Sequence, residues 1–407
     1  MTDAEEMSSR LLALLREIAR IPAPTGQESA RAAFIMKWLG ERGAGTVRCD
    51  DAGNVLLFYP DEKQATYDLF SAHMDIVFPG TDEIMLRDEG DRLYGPGVGD
   101  DTANLVNLLE AAAITLAEKP VLPEGRGLLF AFVTGEEGLG NLRGTRQIFH
   151  DFDGRIRTAT SFDLYTETVV AEAVGSDRYC VSVETPGGHS LHDFGKPNAI
   201  AILADMISRI YDIRLPEKGM TTYNVGKISG GTTVNSIAGH AEMLCEARFT
   251  DPSSGQYMRD EFRRAAVSAA APYGAVPEGM DEICADSEDT AGDGRDCTES
   301  CADRGDVTVR FELLGQRPCG TAEPTEEMRS FARRAKDRVS AVTGKKITLS
   351  QGSTDANIPL SLGIPAVTIG TCRGAGLHGA HEYILKDSLY EGYRIVRKSL
   401  LESAAGV

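Results

Sequence analysis

The stretch LLFAFVTGEEGLGNLRG, Leu128–Gly144, opens as an uninterrupted apolar run and closes in glycine, with two adjacent carboxylates, Glu136 and Glu137, between. An apolar run without alternation reads as a strand covered on both faces. Neighbouring carboxylates repel each other, and burial at the end of such a strand raises the cost. A divalent cation offsets that charge. One carboxylate of the pair can then bind metal while the other stays free as a general base toward water. Taken alone, GEEG reads equally as an exposed turn.

Around this strand the chain alternates short apolar runs with helical stretches. Leu11, Leu14, Leu15 and Ile18 recur at helical spacing, and Pro22 and Pro24 stop that helix. A second helix is expected from about Glu28 to Arg42. NVLLFY and YDLFSAH read as strands, and DDTANLVNLLEAAAITLAEK reads as a helix with Leu105, Leu108, Leu109 and Ala112 on one face. This order predicts an α/β domain with a mostly parallel sheet. The middle differs. RYCVSVETPGGHS alternates, NAIAILADMISRIYDI is helical, and YNVGKISGGTTVNSIAGHAEMLCEARF reads as two strands around a Gly-rich turn. After a further helix from about Ser254 to Ala271 and the strand VTVRFELL, the α/β pattern resumes. The expected division is therefore 1–177 with 318–407 as one domain and 178–317 as an inserted α+β unit.

The chain has 407 residues, 42% hydrophobic and 25% charged. At ~100–200 residues per domain that length suits two domains. No apolar run is long enough to span a membrane, and the acidic start MTDAEEMSSR lacks an apolar signal region, which points to the cytoplasm. The net charge of −19, without basic patches, argues against a nucleic-acid partner. Eight cysteines occur without a CxxC, and reduced thiols are the expectation for such a chain. The acidic stretch holding Cys284, Cys297 and Cys301 reads as a solvated insertion, with a metal or redox pair as the alternative.

In open α/β sheets functional groups gather where strands end. Four more places fit. His73 and Asp75 in SAHMD are two apart, so on a strand they share a side, and Asp75 can orient a metal-binding His73. Asp100 and Asp101 follow the Gly-rich GPGVG and start a helix, where capping explains one aspartate but not two. Asp163 ends the apolar SFDLY, and His378 and His381 follow IPAVTIG in GLHGAHEY. Together these supply two histidines and several carboxylates, a set that suits a two-metal hydrolytic site. The imidazoles favour zinc, and the carboxylates leave manganese or cobalt open.

This order of motifs, H-x-D, D-D, G-E-E, D/E and a late H, resembles the di-zinc exopeptidase superfamily that includes peptidase T, glutamate carboxypeptidase, aminoacylase and succinyl-diaminopimelate desuccinylase. The resemblance covers nearly the whole chain. It implies that His73, Asp100 and Asp163 hold one metal and that Asp100, Glu137 and His378 hold the other, with Asp100 bridging. It makes Glu136 the general base and Asp75 the residue that orients His73. It implies a cis peptide at Asp100–Asp101, and it favours His378 over His381 because the family ligand sits four residues before a glutamate, here Glu382. The inserted unit resembles the family's lid and dimerisation domain, which implies a homodimer. GGHS nominates His189 for the scissile carbonyl, with His192 as rival. GGTTVNSI nominates Asn235, and EARF places Arg248 as a substrate contact or a structural ion pair. DDTAN, where many relatives carry DDKAG, and the acidic insertion depart from the family pattern.

The implied reaction is hydrolysis of a peptide or N-acyl amide bond in a small substrate, with a di- or tripeptidase first. A carboxypeptidase or N-acyl amino acid deacylase is the alternative, for which Arg248, Asn235 and Arg373 are available. A non-catalytic metal-binding protein is a different class, against which an intact Glu136 speaks. A phosphate-binding enzyme rests on GPGVGDD alone, without the Lys and Ser/Thr of a Walker motif.

Overall fold

In the computed structural model, residues 3–80, 84–279 and 307–406 are described. The acidic stretch with Cys284, Cys297 and Cys301 lies outside them. The chain divides into two compact units, Met1–Val174 with Arg317–Val407, and Gly175–Gln316.

The first unit is built on an eight-stranded sheet. Its order is Val47–Cys49, Val55–Tyr59, Arg126–Val133, Thr66–His73, Ile156–Phe162, Ala366–Ile369, Thr168–Ala173 and Thr348–Gly352. The four strands at its centre, from Arg126–Val133 to Ala366–Ile369, run parallel; the pairs flanking them are antiparallel, and the edge pair Thr168–Ala173 with Thr348–Gly352 is parallel again. The apolar runs have the cause that parallel sheets give them, cover on both faces. Val55, Leu57, Phe70, Ala72, Phe130 and Phe132 enter one buried cluster with the helices Asp3–Ala19, Asn104–Glu118 and Ser388–Ala404. The intervening Leu56, Phe58, Leu69, Leu129, Ala131 and Val133 enter another with the helix Arg143–Asp151. The expected α/β class with a mostly parallel sheet and an inserted α+β unit is what the architecture has.

The second unit carries a four-stranded sheet ordered Thr221–Gly230, His240–Phe249, Gly175–Glu184 and Thr308–Arg317. Alternate residues such as Tyr179, Val181, Val183, Ala241, Met243 and Cys245 are buried with two helices, Ala199–Tyr211 and Pro252–Ala270. Both helices start on side-chain caps. Asn198 accepts from the backbone of Ile200 and Ala201, and Asp251 from Ser253 and Ser254. Among the described residues no helix is long and apolar enough to cross a membrane.

Candidate metal centre

Because the four central strands are parallel, their carboxyl ends share one edge of the sheet. His73 is the last residue of its strand, Glu136 and Glu137 come after Arg126–Val133 with Thr134 and Gly135 between, and Asp163 immediately follows Ile156–Phe162. Three groups of candidate ligand atoms converge there, each within 4.8 Å: His73, Asp100 and Asp163; Asp100, Glu137 and His378; and His73, Glu136 and Glu137.

Asp100 joins the first two groups. Its Oδ1 lies 2.9 Å from His73 Nε2, and its Oδ2 lies 3.1 Å from His378 Nε2. His73 Nε2 is also 3.8 Å from Asp163, and His378 Nε2 is 3.1 Å from Glu137 Oε1. Asp100 sits in a kinked, wide helical turn, Val98–Ala103, ahead of the regular helix, and its peptide bond to Asp101 is cis. The turn is entered through Gly97 at φ +65°, where a Cβ would lie 2.2 Å from Ile76. Glu382 holds this turn by accepting the backbone N–H groups of Gly97 (3.0 Å), Gly99 (2.7 Å) and Asp100 (2.9 Å). Asp101 turns its carboxylate the other way and accepts the backbone N–H of His73.

The contacts of Asp75 extend beyond the His73 imidazole. His73 Nδ1 approaches the main-chain oxygen of Asp75 at 3.0 Å and its carboxylate at 3.4 Å. That carboxylate also accepts the backbone N–H groups of Glu136 (3.1 Å) and Glu137 (2.9 Å) and the Thr25 hydroxyl (2.9 Å). The two glutamates themselves are treated differently. Glu137 faces His378, whereas Glu136 Oε1 accepts from Arg317 Nη1 at 3.0 Å and the Glu136 main-chain oxygen accepts from Arg317 Nη2.

The cluster is strongly electrostatic. Burial opposes the charged form of His73, but Asp101, Asp100, Asp75 and Asp163 outweigh it and hold its pKa well above the usual value. Asp100 and Glu137 raise that of His378 to about 10. Burial pushes Asp163 up to about 8, with Asp100 adding to it. Burial also drives Glu136 well above an ordinary glutamate, against the opposing charge of Arg317. Burial acts on Asp100 as well, yet its hydrogen bonds to His378 and His73 bring it below the ordinary aspartate value. Asp75, Asp100, Glu136, Glu137 and Asp163 are each 5% exposed or less. Two imidazoles and such a concentration of buried carboxylate are a donor set that divalent cations fit, because the cations supply the missing positive charge.

The remaining candidates lie in the second unit. His189 is exposed, its backbone N–H bonds Asp193, and its ring is 4.7 Å from that of His192. The short pair Gly188–His189 with Ser236–Ile237 brings Asn235 beside it, where the Asn235 main-chain oxygen accepts from Ser190. Arg248 Nε bonds Glu246 at 2.9 Å on the same strand. In the first unit His381 is exposed and belongs to none of the three groups, and Arg373 pairs with Asp387. Arg317, Asp355 and the grip of Glu382 on the Asp100 turn escaped the sequence reading. Glu382 had a signal in its spacing from His378. Arg317 and Asp355 are lone residues whose partners are distant in sequence.

Comparison with known proteins places these residues in a family. The model for peptidase family M20/M25/M40 matches residues 69–402. A probable carboxypeptidase from Ajellomyces capsulatus is 27% identical over 56% of this chain, and the alignment spans 58% of that relative's own length. Among solved structures, the aminopeptidase PepT of Bacillus cereus superposes with a TM-score of 0.71 at 20% identity, covering 98% of this chain and 99% of the other. A tripeptidase from Staphylococcus aureus gives the same TM-score and identity over 96% and 98%. At that identity the two structures share the fold with this chain.

Proposed function

The chain belongs to peptidase family M20/M25/M40, and from that premise we propose that it is a metal-dependent hydrolase cleaving a peptide or N-acyl amide bond, first of all a di- or tripeptidase. The observation that carries the reading is Asp100, whose two carboxylate oxygens face two different histidines. His73, Asp100 and Asp163 would hold one divalent cation, and Asp100, Glu137 and His378 a second, with zinc favoured by the imidazoles. Bound there, such cations polarise a carbonyl and make water more acidic. Asp75 orients His73 and keeps the Glu136–Glu137 backbone in place. Glu136 takes the proton of the attacking water and delivers it to the leaving amine.

His189 and Asn235, neighbours in the second unit, are the substrate contacts in this reading, and that unit serves as lid and dimerisation domain of a cytoplasmic homodimer. Arg248 is assigned to the same role, although its bond to Glu246 favours a structural ion pair. The PepT and tripeptidase neighbours support the di- or tripeptidase. The probable carboxypeptidase relative supports the second reading, a carboxypeptidase or N-acyl amino acid deacylase.

The test is elemental analysis of the purified chain together with hydrolysis of free and N-acylated di- and tripeptides. Two metals per chain and chelator-sensitive cleavage are expected, and Glu136→Gln should abolish turnover while metal content is kept. Near-normal turnover by that variant would remove Glu136 from its role. Preference for free or blocked amino termini decides between the two substrate classes.

A further inference from the structure

We propose that Arg317 is a positioning residue for Glu136, fixing one carboxylate oxygen and thereby leaving the other to meet the reacting water; the inference rests on the hydrolase reading above. The guanidinium is 5% exposed. Its Nη1 donates to Glu136 Oε1 at 3.0 Å while Nη2 donates to the main-chain oxygen of the same residue. One planar group thus ties the carboxylate of Glu136 to its own backbone and restricts the torsions between them. Nη1 also reaches Ser353 Oγ at 3.3 Å, which fixes the guanidinium from a second direction.

The backbone beside Arg317 is itself anchored. Asn357 Nδ2 donates to the main-chain oxygens of Pro318 (2.8 Å) and Val174 (2.9 Å), and Asn357 Oδ1 accepts from the backbone of Thr354. The segment that meets the guanidinium at Ser353 therefore also holds the residue that follows it.

The neighbouring carboxylates are served differently. Asp100 and Asp163 face His73, Glu137 faces His378, and Asp75 accepts backbone N–H groups. Glu136 takes a guanidinium, which suits a carboxylate kept for proton transfer instead of coordination. Both terminal nitrogens of Arg317 are engaged within the protein, so capture of a substrate carboxylate does not explain its placement. A lysine could supply charge but not a fork spanning two oxygens.

The experiment compares wild type, Arg317→Ala and Arg317→Lys, all metal-loaded, on the best substrate of the peptide panel, with metal content and crystal structures determined in parallel. Misplacement of a reacting group by about 1 Å costs roughly 100-fold, so kcat should fall by about that factor in both variants with KM and metal content unchanged. Added methylguanidinium should recover part of the Arg317→Ala loss, and the crystal structure should show Glu136 in a changed rotamer. Where Arg317→Ala fails to fold, the kcat-against-KM split in Arg317→Lys decides. Full turnover in either variant, or a rise in KM or loss of metal that accounts for the defect, overturns the proposal. A wild type that binds metal but cleaves nothing defeats the hydrolase reading itself, and the positioning role with it.

Discussion

Glu382 accepts the backbone N–H of Asp100 at 2.9 Å, so a residue near the end of the chain fixes the carboxylate that stands between two histidines. Its role here is purely that of an acceptor, shared with the N–H groups of Gly97 and Gly99. Glu382→Gln replaces one acceptor oxygen by a donor facing a donor. A buried N–H left unpaired costs ~1–3 kcal/mol, and loss of such outer support typically weakens metal binding by ~10–100-fold. Zinc titration and thermal unfolding of the variant should show both effects. Wild-type affinity would mean that the turn holds Asp100 without Glu382.

His378 and His381 lie three residues apart and differ sharply in surroundings. Both are exposed, but His378 adopts φ 60° and brings Nε2 to 3.1 Å from both Asp100 and Glu137, while His381 belongs to none of the candidate ligand groups. His378→Ala should lower bound metal from two to one per chain, and His381→Ala should leave it unchanged. Elemental analysis of the two variants side by side is the check. The reverse pattern would move the ligand to His381.

Much of this arrangement was legible in the sequence because parallel strands advertise themselves. GLLFAFVT is an unbroken apolar run and YDLFSAH is strand-like around Leu69 and Phe70, so their ends, and the ionisable residues on them, could be located without knowing the strand order. Short elements were not legible. The small sheet of Gly374–Ala375, Tyr383–Leu385, Arg92–Tyr94 and Arg87–Glu89 consists of two- and three-residue strands, too brief for a period to appear. The helix Arg143–Asp151 and the strand Thr168–Ala173 also passed unread, the first because polar residues dominate its nine positions. Arg317 escaped for another reason. Its importance lies in a contact with Glu136, 181 positions away, and no local pattern encodes such a pairing.

The H-x-D spacing pairs Asp75 with His73, and the structure gives its carboxylate a further task. Asp75→Ala would leave the backbone N–H groups of Glu136 and Glu137 and the Thr25 hydroxyl without their acceptor. At ~1–3 kcal/mol for each group left buried and unpaired, the variant should unfold at clearly lower urea. Its turnover should fall together with its metal content. Undiminished stability would show that water replaces the carboxylate freely.

Asp355 supplies a pH test at a residue outside the candidate ligand groups, although His73, Asp75 and Arg317 act on its charge. It is 2% exposed, its Oδ1 accepts from Thr145 Oγ1, and its other oxygen has no hydrogen-bond partner. Burial, opposed by the Thr145 bond, raises its pKa from 3.8 to about 6. Folding therefore favours the protonated form. Its contribution to stability is fully present below pH ~4 and is lost as pH rises through about 6. Moving a carboxyl from 3.8 to about 6 corresponds to ~3 kcal/mol as an upper bound. Asp355→Asn keeps an acceptor for Thr145 and carries no charge. In chelator, it should match wild type near pH 4 and exceed it near pH 8, with the gap opening between those values. Urea unfolding at the two pH values measures this directly. A difference from wild type that is the same at both would mean that the Asp355 charge is compensated in the folded chain.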